Sequence, residues 1–104
     1  MEGIWYAHFR HGDVRGDGIA VLHNGQIEGG DPAHTYSGSY QEEDSNLYAN
    51  IRVSPYAGSP LPADLTHPIT YFLKGSVIGN SAKVTGHPHN KPEALISVEL
   101  HKGE

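Results

Sequence analysis

The chain has 104 residues and a net charge of −5 from 7 Lys+Arg against 12 Asp+Glu, so one domain spanning residues 1–104 is expected. No basic stripe occurs, which argues against direct binding to nucleic acid, because displacing counterions from phosphates needs clustered Lys and Arg. With 0 Cys there is no disulfide, thiol nucleophile or Cys-based metal site.

Gly3 to Arg10 predicts the first strand. Trp5, Ala7 and Phe9 share one face, and Ile4, Tyr6 and His8 the other. Both faces are fairly apolar, so one is expected on the core and the other against a second subunit. Ile4, Tyr6, Trp5 and Phe9 are therefore the candidate dimer residues. His11–Gly16 reads as a polar connection. Asp17–His23 and Gln26–Glu28 then flank Asn24-Gly25, whose tolerance of positive φ makes it a strong signal for a two-residue hairpin. Gly29-Gly30-Asp31 reads as a structural turn, with Gly supplying positive φ and Asp bonding the turn backbone.

The fourth strand, Thr35 to Gln41, carries Gly38 at its centre, where a bend or a close backbone approach is expected. Gln41–Asn46 is an acidic turn. Leu47, Ala49, Ile51 and Val53 then alternate with Tyr48, Asn50 and Arg52, the pattern of a half-buried strand. Ser54–Pro68 holds four Pro and is expected to be irregular, with room for one short helical turn in Pro55–Asp64. Ile69–Gly75, Ser81–Thr85 and Ala94–His101 complete the strands, with Gly79-Asn80 as the turn between the first two.

No run of ten or more residues has helical apolar spacing, and Gly or Pro interrupts nearly every candidate. The expected fold is all-β: a small up-and-down antiparallel barrel of about eight strands, with a two-sheet sandwich as the alternative. The chain shows neither the pattern of a signal peptide nor a stretch long enough to span a membrane as a helix.

One ordered set of motifs resembles a known family. Gly3-Ile4-Trp5-Tyr6 with Phe9, Gly16-Asp17-Gly18-Ile19, Asn24-Gly25-Gln26-Ile27, Gly29-Gly30-Asp31, Tyr36-Ser37-Gly38 and the acidic turn are similar to the GrlR-like family of type III secretion negative regulators. The resemblance runs from residue 3 to about residue 53, and more weakly through Tyr71-Phe72-Leu73-Lys74-Gly75. It implies a lipocalin-like barrel that forms homodimers in a bacterial cytoplasm. It also implies regulation by contact with a transcription activator, through an acidic loop of four Glu/Asp residues. Here the matching positions are Glu42, Glu43, Asp44 and Ser45, so three are acidic. These three are the candidate partner-binding residues. They are expected to be exposed and without a local cation, since the nearest basic residue in sequence is Arg52.

Other chemistries are weaker. No nucleophile elbow or phosphate loop occurs, and Gly16-Asp17-Gly18 lacks the third Gly and the helix of a dinucleotide fingerprint. An enzyme and a cofactor are not expected. His87-Pro88-His89 has only Glu93 nearby and does not specify a metal site. Tyr36, Tyr40, Tyr48 and Tyr71 lie within strands, and some should point inward. That leaves a second function open, a carrier or sensor of a small apolar ligand, which an open interior would favour and a filled one would oppose.

Overall fold

The computed structural model describes residues 1–55 and 68–103. The chain is a closed barrel of eight antiparallel strands in sequential order: β1 (Gly3–His11), β2 (Val14–His23), β3 (Gln26–Gly30), β4 (His34–Glu43), β5 (Asn46–Pro55), β6 (Ile69–Ile78), β7 (Ser81–Pro88) and β8 (Ile96–Lys102). β8 returns to pair with β1, Tyr6 opposite His101 and Phe9 opposite Val98, so no open edge remains. The up-and-down barrel expected from the alternation is therefore the observed fold. Among the described residues there is no helix, and none is long and apolar enough to cross a membrane. The short helical turn expected in Pro55–Asp64 lies, apart from Pro55 itself, outside the described residues.

The strands are longer and the connections shorter than the residue pattern suggests. His11–Gly16 is expected as a connection, but only Gly12 and Asp13 turn there, and Val14 already pairs with His11. The acidic turn narrows in the same way. β4 runs to Glu43, β5 starts at Asn46, and Asp44-Ser45 alone make the turn, both with positive φ. Ladder hydrogen bonds across a closed sheet hold polar residues extended that would otherwise be loop. Asn24-Gly25 forms the expected two-residue turn, at φ 50° and 78°.

Alternation decides what lies inside. Trp5, at 2% exposure, and Leu47 are the most deeply buried large side chains. They pack with Leu22, Ile27, Val77 and Leu100 toward the end that carries the Asn24-Gly25, Asp44-Ser45 and Gly79-Asn80 turns. The Trp5 indole Nε1 donates to the Met1 carbonyl, 3.2 Å away. Gly38 meets the expectation of close approach: a Cβ there would lie 1.9 Å from the Asn50 carbonyl oxygen on β5.

Candidate functional site

Three features could carry function: the interior, the outer face of β1 and β2, and the acidic hairpin tip. The interior is the most built. A cavity of about 230 Å³ runs along it, walled chiefly by apolar side chains such as Phe9, Ile51, Val53, Ile69 and Val98. Tyr36, Tyr40 and Tyr71 also face it, whereas Tyr48 faces outward. Large residues therefore fill one end of the barrel but leave space in the remainder.

Asp31, His34 and Tyr36 gather at the opposite end, where β3 turns into β4, whereas the Tyr40 hydroxyl reaches Glu2 at the filled end. Asp31 organises that turn. Its Oδ1 accepts from the Ala33 amide (2.8 Å), the His34 amide (2.7 Å) and His34 Nδ1 (3.1 Å), and its Oδ2 accepts from the Tyr36 hydroxyl. The Asp31 amide donates in turn to the His34 carbonyl, at 2.9 Å. The side chain is only 7% exposed. Burial pushes the carboxyl up, but hydrogen bonds from Tyr36, Ala33 and His34 outweigh it and hold Asp31 below its usual value. Asp31 thus bonds the turn backbone as expected, but Gly29 and Gly30, expected in the same turn, are strand residues of β3, because ladder pairing to β2 and β4 carries the strand through them. Gly29 supplies the positive φ, at 152°, where a Cβ would sit 1.9 Å from the Ile19 carbonyl oxygen, and Gly30 ends β3 opposite Thr35. The reach of Asp31 to His34 and Tyr36 was not legible beforehand, because it depends on β4 folding back beside β3.

Of the four candidate dimer residues, Trp5 and Phe9 turn into the barrel, so they form no subunit face. Ile4 and Tyr6 point outward. Ile4 pairs with Val21 and Tyr6 with Ile19, which sets four apolar side chains side by side on the surface, each 41–48% exposed. Sequence reasoning missed Ile19 and Val21, which were read only as part of a hairpin.

Glu42, Glu43 and Asp44 are exposed at the barrel rim, as expected. The expectation that they lack a local cation is corrected. The Met1 amine sits 3.0 Å from Glu42 Oε1, because the chain start folds across the same end of the barrel. Glu42 lies opposite Leu47, on the inward side of β4, while Glu43 lies on the outward side. Glu2, which no motif marked, ties this end together. Its carboxylate accepts from the Tyr40 hydroxyl, the Asn24 amide and His23 Nδ1, each at 3.0 Å. These bonds, Tyr40 foremost, hold Glu2 below the usual carboxylate range, while burial and Glu2 together raise Tyr40.

Among the described residues, no three His, Cys, Asp or Glu side chains come close enough to hold a metal ion. His87 Nδ1 lies 2.9 Å from the Pro88 carbonyl, and the His87 and His89 rings each meet Phe72 edge-on. Compared with known families and with the curated proteins, the chain matches no family model and no curated sequence.

Proposed function

We propose that this protein is a small regulatory barrel of the bacterial cytoplasm that acts by contact with other proteins, the first being a second copy of itself. The outer face of β1 and β2 carries this reading. Ile4, Tyr6, Ile19 and Val21 form a cross-strand apolar patch that solvent does not favour, and such patches mark protein contact surfaces. The resemblance to the GrlR-like family supports both the homodimer and a role as a negative regulator that holds a transcription activator without chemistry of its own. Sedimentation should show a dimer. Tyr6→Lys with Ile19→Glu, which keeps a favourable cross-strand pair, should give a folded monomer. A wild-type monomer at every accessible concentration would refute the self-association.

The acidic tip is the proposed contact for a basic partner, such as the recognition surface of an activator. Its test is Glu42→Gln, Glu43→Gln and Asp44→Asn together. Asn is chosen at position 44 because φ there is 51°, which Ala would adopt only with strain. Each exposed pair contributes roughly 1 kcal/mol at most, so the triple variant should weaken binding several-fold and flatten its salt dependence. Equal affinity and an equal salt slope would reduce the tip to a solvated turn.

A second reading, a carrier or sensor of a small apolar ligand, is favoured by the 230 Å³ cavity. The two readings are compatible, since a ligand inside the barrel would act on strands whose outer faces meet partners.

A further inference from the structure

We infer that the barrel interior is a binding site for a small neutral amphiphile carrying a hydroxyl group, with its apolar body in the cavity and its hydroxyl received by His34 and Tyr71. The inference rests on the reading that the cavity is occupied, and it specifies the chemistry of the occupant.

The size comes first. Ligand pockets for drug-sized molecules run from roughly 300 to 1,000 Å³, and an apolar cavity of about 150 Å³ already admits benzene. A cavity of about 230 Å³ therefore suits a single ring or a short chain. Its walls are apolar along most of their length, so the body of the ligand is hydrocarbon.

The polar end sets the head group. Asp31 is held ionised by its hydrogen bonds, and a carboxylate only accepts. His34 Nδ1, 3.1 Å from Asp31 Oδ1, must therefore carry the proton. In the neutral ring Nε2 is then a lone-pair acceptor, with no partner among the described residues, on a side chain that lines the cavity. Tyr71 lines the same cavity from β6, and its hydroxyl also has no partner among the described residues. Burial raises its pKa, so it is a neutral O–H that can donate. One acceptor on β4 and one donor on β6, lining the same cavity, match a hydroxyl, which donates to His34 and accepts from Tyr71.

Charge excludes the neighbouring chemistry. No Lys or Arg is among the described residues lining the cavity, and Asp31 is the one carboxylate among them. An anionic head would meet that carboxylate without a fixed cation to offset it, at a cost that a low-dielectric interior makes large.

The probes are phenol, its apolar isostere toluene, and benzoate, titrated into the protein and followed by amide chemical shifts. Phenol should bind at least as tightly as toluene, although it is the more strongly hydrated, and benzoate should bind more weakly than either. Tyr71→Phe keeps the ring and removes only the hydroxyl. It should weaken phenol about tenfold relative to toluene and leave toluene unchanged. Val98→Phe, which fills the cavity, should abolish binding of both, with circular dichroism reporting that the barrel is intact. If toluene binds and phenol does not, or if Tyr71→Phe affects both alike, the head-group assignment falls while the cavity reading stands. Tighter binding of benzoate would likewise overturn the neutral head. If neither phenol nor toluene binds the folded wild type, both the assignment and the ligand reading fall. The protein-contact reading is untouched by any of these results.

Discussion

Gly38→Ala should destabilise the barrel by about 3 kcal/mol, at the upper end of what overpacking costs. The added Cβ would lie 1.9 Å from the Asn50 carbonyl oxygen and 3.0 Å from the Ile51 Cα. The obstacle is backbone on both counts, so no side-chain rotation relieves it. β4 and β5 would have to separate where Gly38 pairs with Ile51, which also loosens Tyr36 and Tyr40 on the same inward face. Ser37→Ala and Ser39→Ala are the controls. Both are exposed and sit on either side of Gly38, and each should stay within about 0.5 kcal/mol of wild type. Urea unfolding of the three variants separates the outcomes. A Gly38→Ala midpoint equal to that of the serine variants would show that the two strands do not need their close approach.

Asp31→Ala should be the most damaging polar substitution, at about 2–4 kcal/mol, because it removes an ionised acceptor and strands several donors at once. The Ala33 and His34 amides, His34 Nδ1 and the Tyr36 hydroxyl all lose their partner. Asp31→Asn keeps one carbonyl for the turn amides but cannot accept from Tyr36 through its NH₂ group, so its loss should be smaller, about 1 kcal/mol. The pH dependence follows from the depressed pKa. The stabilisation is fully present above the unfolded-state value, roughly pH 4, and is lost as pH falls through the lower folded-state value. Wild type should therefore lose stability more steeply than Asp31→Asn on acidification below about pH 4. Parallel curves for the two proteins would remove Asp31 from the acid response. The same variant bears on the cavity, since Asp31 sets the tautomer of His34 through a 3.1 Å contact.

The strands themselves, the Asn24-Gly25 turn and the capping role of Asp31 were legible in the amino-acid sequence. Each depends on neighbours within a few residues. Alternation from Leu47 to Val53 sets which side chains share a face, and Asn24-Gly25 carries the positive φ its turn demands, whatever the chain does elsewhere. The close approach at Gly38 was also readable, because a strand seldom keeps Gly at its centre unless another backbone crowds it. The tertiary structure alone decided the remainder. Ile4 and Trp5 are both apolar, so the face of β1 that turns inward was undetermined until β2 and β8 closed on either side of it. The β1–β2 and β4–β5 connections contracted to two residues because ladder pairing extends strands through polar sequence that has no preference of its own. Glu42 met the Met1 amine, and Glu2 met Tyr40, across sequence separations of 41 and 38 residues. The cavity lining draws on strands as far apart in sequence as β1 and β8, which meet only when the sheet closes on itself.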